Sequence, residues 1–386
     1  MTKILFVHNT TMWYRRPFFK RLSEIYDVKF VFTHIQVCKD IYGADISEQI
    51  EGLESVNYKA LKNYFGIAFG LIRELSKEDY DVIIGGYLNI LSFIIAKLRK
   101  KPFIIWSEGW DWSHKTFKRR LLLRVIRFIV SHSDAFLVPG TKHKEFIISL
   151  GTLPDKVFIM PNSSNISSKE GDYINKEKLK KKLKIADKKV VLYVGRLVKR
   201  KGVDYLIKAF AKLKNEINDV VLIIIGRGEC RDELELLAKN LNIEDSVFFM
   251  GHVEDELLPA YYLLCNICVV PSITYGMADP CPLVVNEAMY FGKPVIATDA
   301  VGAAFDMIKD GENGFMVPEK DSEALYEAMK KILSDPELEK RMGEESKRII
   351  EEGFRYEHMI EGFKDAIKCV SKKGLKNEGS NVNKSV

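Results

Sequence analysis

The feature that most constrains this chain is the rhythm of its apolar runs. KILFVH, VKFVFTH, DVIIGG, PFIIWS and DAFLVPG are short, near-continuous stretches of strand-forming residues, and longer amphipathic segments such as PFFKRLSEIY separate them. Strands that are apolar on both faces and alternate with helices call for a parallel sheet covered on both sides. The same rhythm restarts at KVVLYVG and runs on through VDYLIKAFAKLK, VVLIIIG, VFFMG, CNICVVP and KPVIATD. At 386 residues and 47% hydrophobic, the chain is also too long for one ordinary core.

The expected fold class is therefore α/β, with two Rossmann-like, doubly wound parallel-sheet domains facing across a cleft. In such sheets ligands bind outside the carboxyl ends of the strands, so each motif is judged by whether it follows a strand. Between the two halves lies a polar, Lys-rich stretch, SSKEGDYINKEKLKKKLKIADKK, across which few core contacts are expected. This places an N-terminal domain at 1–170, a linker at 171–187 and a C-terminal domain at 188–353. Residues 354–370 read as an amphipathic helix suited to packing back on the N-terminal domain, and 371–386 as a disordered tail.

Composition narrows the partners. A net charge of +6, spread along a Lys-rich chain, suits phosphate-bearing ligands or an anionic membrane surface and lacks the concentration expected of a nucleic-acid footprint. Six scattered cysteines make no disulfide framework, and Cys265 and Cys268, inside the apolar LLCNICVV, read as small core residues. The short apolar run at the N-terminus reads as a first strand rather than a signal peptide. No uncharged run approaches the roughly 18 to 20 residues of a bilayer span. The expected location is the cytoplasm, with peripheral attachment to the inner membrane face left open.

Two segments carry the chemistry of the second half. YVGRLVKRKGVDYLIKAF runs from a strand through Gly195, Arg196, Lys201 and Gly202 into a helix. A loop of this kind offers backbone N–H groups and a helix dipole to an anion, and its cations add full charges. Lys199 and Arg200 in the same loop read as solvent-facing. Further on, PCPLVVNEAMYFG reads as a helix with Pro282 in its first turn, Leu283 and Val284 at its head and Glu287 within it. Asp279 precedes Glu287 with seven residues between them.

These segments resemble glycosyltransferase family 4, whose members are retaining enzymes of GT-B architecture. GRLVKRKG is similar to the family's GRLxxxKG signature. VPSITYGMADPCPLVVNEAMYFGKPVIATD resembles its Glu-x7-Glu segment, with Asp279 where the first Glu usually stands. IIIGRGECRDELELL and FMGHVEDELLPAYYLLCNICVVPS match two further stretches in register. The resemblance implies transfer of a sugar from a nucleoside-diphosphate sugar to a hydroxyl acceptor with the anomeric configuration kept. Arg196 and Lys201 would neutralise the departing diphosphate, Glu287 would accept the ribose hydroxyls, and Asp279 would contact hydroxyls of the transferred sugar. Gly195 and Gly226 would let backbone approach the donor, and backbone at Val253 would meet the base. Leu283 and Val284 would complete the donor site. No metal or other cofactor and no protein general base is implied.

The first half carries the family skeleton with fewer signatures, among them KVFIMPNSSN with Pro161 and Asn162. Asn9 and Thr10 suit phosphate or acceptor oxygens, or equally a helix cap. Arg15 and Arg16 stand at a strand-to-helix edge and suit an acidic or diphosphate-bearing acceptor, or equally solvent. WSEGWDWSH packs three Trp rings, two carboxylates and a His into nine residues. Glu108, Asp111 and His114 are thus candidates for the wall facing a saccharide or lipid-linked saccharide acceptor. Beyond them, Arg120, Arg124 and Arg127 form one cationic stripe on a helix, which suits anionic lipid or simply a solvated edge. Two other readings stay open: a nucleotide-sugar epimerase of the same fold, and a non-catalytic sugar-nucleotide-binding relative. An NAD-dependent oxidoreductase is excluded by the missing GxGxxG after the first strand.

Overall fold

The structure, a computed structural model, describes residues 1–11, 13–33, 52–61, 70–86, 88–110 and 117–381. It separates into two compact units. One gathers Met1–Gly109, Lys115–Asn165 and Tyr356–Val386, and the body of the other is Ile166–Arg355.

The first unit is built on a seven-stranded sheet of β1 (Lys3–His8), β2 (Asp27–Phe32), β3 (Tyr58–Ala60), β4 (Val82–Gly85), β5 (Phe103–Trp106), β6 (Ala135–Val138) and β7 (Val157–Ile159). The order is β3-β2-β1-β4-β5-β6-β7 and every pair is parallel. The chain reverses its direction of travel across the sheet at β1 and β4, the place where such folds open a crevice. One face is unusually aromatic. Phe6, Phe18, Phe19, Phe30, Phe32 and Trp106 pack there with Phe363 from the C-terminal helix. That helix, Tyr356–Asn381, lies against the sheet closely enough that a side chain on Gly362 would meet the carbonyl oxygen of Ile159 at 2.2 Å.

The second unit has a six-stranded sheet of β8 (Lys189–Val194), β9 (Val220–Ile225), β10 (Val247–Gly251), β11 (Ile267–Val270), β12 (Val295–Thr298) and β13 (Gly314–Val317), in the order β10-β9-β8-β11-β12-β13. All of its pairs are parallel as well. Alternation along the strands explains the double cover. Val191, Leu222 and Ile224 face one apolar cluster, while Val190, Leu192, Val221 and Ile223 face the other, so successive residues bury on opposite sides. Cys265 and Cys268 are buried in the second of these clusters.

Two segments differ from the sequence reading. The stretch assigned to a linker at 171–187 is mostly the helix Glu170–Leu183, whose Leu179 and Leu183 pack on the second unit beside the helix Leu258–Leu264. Its apolar residues are too sparse to announce a buried face, and most of its Lys residues are exposed. The tail assigned as disordered from 371 is helical as far as Asn381. Lys, Glu and Leu favour continuing a helix already nucleated by packing, and no Pro interrupts it.

Candidate active site

The second unit places its conspicuous charges at the carboxyl ends of β8 and β11, the two strands where its sheet reverses direction. After β8 the chain passes Gly195 and Arg196, makes a 3-10 turn at Lys199–Lys201, and enters the helix Val203–Glu216 through Gly202. Gly202 adopts φ +59°, and a Cβ there would lie 2.0 Å from the carbonyl oxygen of Pro271. Only glycine admits both the left-handed backbone and the approach of the neighbouring loop. The two loops are joined again where the Ile273 N–H donates to the Arg200 carbonyl at 2.8 Å.

Asp279 sits at the centre of this junction. It is 4% exposed, its N–H donates to Ala300 and its carbonyl accepts from Gly302. One carboxylate oxygen accepts from Arg200 at 2.5 Å, and the other from Lys201 at 2.5 Å and from the Ser272 hydroxyl at 2.8 Å. Burial opposes ionisation, but the two cations and the hydroxyl outweigh it and hold the Asp279 carboxyl below its ordinary range. Arg200 is thus no solvent-facing residue, contrary to the sequence reading. Its pairing with a residue 79 positions away has no local signal. Lys199 and Arg196 are exposed. Among the described residues Arg196 has no carboxylate partner, and its carbonyl is fixed by the buried Tyr193 hydroxyl at 2.9 Å.

Glu287 is the fifth residue of the helix Leu283–Tyr290, which starts just after Pro282 and has no side-chain cap. The buried Tyr262 hydroxyl donates to its carboxylate at 2.7 Å, and Tyr262 in turn stacks on Phe291. Burial and the adjacent Glu287 charge push the Tyr262 phenol well up, so it remains a donor. Leu283 is half-buried and Val284 buried, and Val253 packs at the edge of the apolar cluster that also holds Tyr262. Gly226 follows β9, and a Cβ there would lie 1.8 Å from the Gly195 carbonyl oxygen. Contact between the two loops therefore already accounts for that glycine.

The first unit holds a separate polar cluster at the ends of β1, β5 and β7. Arg15, only 4% exposed, pairs with Glu108 and donates to His8 Nε2 at 3.0 Å. Its guanidinium also lies over the Trp106 ring at 4.5 Å. Asn162 donates to the same oxygen of Glu108 at 2.7 Å. Because His8 Nε2 accepts from Arg15, Nδ1 must carry the proton and donate to the Thr10 carbonyl at 2.9 Å. Burial, reinforced by the neighbouring Arg15 charge, lowers His8 to a pKa of about 3. Partial burial works against ionisation of Glu108, yet Arg15 and Asn162 keep its carboxyl below the ordinary value. Asn9 is exposed and Arg16 half-buried. The helix Arg16–Ile25 has Arg15 at its N-cap without a capping bond, so neither Asn9 nor Thr10 caps it. Asp111 and His114 lie outside the described residues. His8 escaped the sequence reading because a single His at a strand end carries no spacing signal.

These features define an α/β protein of two parallel-sheet units with a cationic loop at a switch point. Comparison with known proteins gives the family. The model described as Glycosyl transferases group 1 matches residues 175–349, and that of Glycosyltransferase Family 4 matches 37–167. An uncharacterised glycosyltransferase of Haemophilus influenzae is 30% identical over 342 residues, covering 88% of this chain and 90% of that one. A GDP-mannose-dependent alpha-(1-6)-phosphatidylinositol monomannoside mannosyltransferase of Mycolicibacterium smegmatis is 31% identical over 169 residues, 43% of this chain and 44% of that one. The crystal structure of Anabaena Alr3699/HepE in complex with UDP superposes with a TM-score of 0.77 at 19% identity, covering 95% of this chain and all of that one. The chain belongs to the group 1, family 4 glycosyltransferases, and its two parallel-sheet units have the GT-B architecture. It is a glycosyltransferase.

Proposed function

We propose that the protein moves a sugar from a nucleoside-diphosphate sugar to a hydroxyl acceptor with retention of anomeric configuration, in the assembly of a cell-surface polysaccharide or glycolipid. The observation that carries this reading is the gathering of Arg200 and Lys201 against a single carboxylate, Asp279, at the β8/β11 switch point, with the exposed Arg196 in the same loop. Three cations against one anion leave an excess of positive charge for a dianionic leaving group. Stabilising charge that develops on departure is where such a site gains most of its rate. Glu287, held by the Tyr262 hydroxyl, suits a pair of ribose hydroxyls. The names of relatives agree, one being GDP-mannose-dependent and one structure holding UDP. Because side-chain cations neutralise the diphosphate, the reaction needs no metal. Retention is inferred from the family.

For the acceptor side, Glu108 offers a carboxylate that remains ionised and is a third exposed, and Arg15 holds it in place. A saccharide hydroxyl is the group it would accept from. The helices Ile90–Leu98 and Phe117–Ser131 adjoin through Phe93 and Phe128. They leave Ile94, Leu98, Leu121 and Phe128 exposed beside the exposed Arg120, Arg124 and Arg127. Apolar side chains next to Arg suit the inner face of an anionic membrane, where a lipid-linked acceptor would reside.

Thermal melting with a panel of nucleotide sugars tests the donor reading, since a ligand bound only by the folded form must raise the melting temperature. One nucleotide class should stabilise the protein and release nucleoside diphosphate when acceptor glycolipid is added, with the product anomer matching the donor's. No stabilisation by any member of the panel would overturn the proposal.

A further inference from the structure

Asp279 stands where the resemblance puts a sugar-binding carboxylate, but its surroundings are those of a structural anion. Both oxygens are engaged, one by Arg200 and the other by Lys201 and Ser272. Its backbone is fixed on both sides by Ala300 and Gly302, and its side chain is 5% exposed. Asp is one methylene shorter than Glu. The carboxylate therefore stays inside the loop junction, where its burial and its three donors leave little access for a sugar hydroxyl. Arg200 spends one nitrogen on Asp279 and remains 24% exposed, so the rest of its fork of donors is available to a ligand. Lys201, 13% exposed, is held by the same carboxylate.

We propose that Arg200 is an additional cation of the diphosphate grip, and that Asp279 is the positioning residue that aims Arg200 and Lys201 at the diphosphate, instead of a ligand of the transferred sugar. The assignment rests on the donor reading above and deepens it. Contact with the sugar is then left to other groups of the site, and the anion recognised is the nucleoside diphosphate itself, with or without its sugar.

The distinction is measurable because a nucleoside diphosphate lacks the sugar. Dissociation constants of the full chain are measured for UDP, GDP, UDP-glucose and GDP-mannose, and the nucleotide the unaltered protein prefers is carried forward. Asp279→Asn and Arg200→Gln should each weaken the nucleoside diphosphate and its sugar ester by the same factor, about tenfold, the usual worth of one charge-assisted hydrogen bond. The double variant should fall short of the product of the two losses, because Asp279 acts in part through Arg200. Arg200→Lys, which keeps the charge, should recover most of the affinity and remains informative even where Asp279→Asn fails to fold. A loss confined to the sugar ester in Asp279→Asn, or unchanged affinities in Arg200→Gln, would overturn this assignment and leave the donor reading standing. Failure of the unaltered protein to bind any of the four would instead overturn the donor reading, and this assignment with it.

Discussion

Arg200, just beyond β8, and Asp279, beyond β11, meet at 2.5 Å across 79 residues of sequence, and with Lys201 they tie together the two loops at the reversal point of the second sheet. Their neighbour Gly202 makes that approach feasible. Gly202→Ala would force an L-residue into φ +59° and drive its Cβ toward the Pro271 carbonyl. The expected cost is about 2 kcal/mol or more in denaturant unfolding, with weakened nucleotide binding. A wild-type midpoint and affinity would show that the loops are not tied in this way.

Removing the central anion should be worse than removing one cation. Asp279→Ala leaves two mostly buried cations without their partner, and stability should fall by about 3 kcal/mol, against about 1 kcal/mol for Arg200→Gln. Chemical denaturation of the two variants side by side checks the order.

The polar cluster of the first unit makes the protein acid-sensitive. His8 is depressed to a pKa of about 3 in the folded state against an ordinary 6.5, so the unfolded chain takes up a proton that the folded one refuses. Its contribution to stability is therefore intact above pH 6.5 and is lost progressively as the pH falls toward 3. Between pH 7.5 and pH 5 the loss from this one group is about 2 kcal/mol. His8→Gln should remove that part of the slope when urea unfolding is followed across the range, and an unchanged slope would rule out His8 as its source.

The exposed helices of the first unit predict a salt-dependent surface affinity. Sedimentation with vesicles rich in phosphatidylglycerol should show binding, and vesicles of phosphatidylcholine should not. Replacing Arg120, Arg124 and Arg127 by Gln should weaken binding about a hundredfold, at roughly 1 kcal/mol per Arg. Binding indifferent to these charges or to salt would contradict the membrane reading.

The C-terminal helix belongs to the core of the first unit. Phe363 is fully buried among Phe6, Phe18 and Tyr26. Phe363→Ala should cost about 3–5 kcal/mol, and a loss under 1 kcal/mol would place the helix outside that core.

What the sequence disclosed follows from the range of each signal. Strands β8, β9 and β11 were legible because VVLYV, VVLIII and ICVV are apolar on both faces, which only a doubly covered sheet tolerates. Arg196, Lys201 and Glu287 stood out because their spacing is local and matches a family pattern. The helix Glu170–Leu183 did not, since it buries few residues and its Lys-rich composition imitates a linker. Arg200 with Asp279, and Arg15 with His8, Glu108 and Asn162, are meetings of strand ends distant in sequence. No periodicity encodes them, and they emerge only once the strand order is fixed.

The most direct test of the account is the affinity for the preferred nucleoside diphosphate, titrated into the unaltered protein and into a variant carrying Arg196→Ala, Lys201→Ala and Glu287→Ala. The account predicts measurable binding that falls at least a hundredfold in the variant, with loss of sugar transfer. Equal affinity and turnover in the two proteins would contradict it.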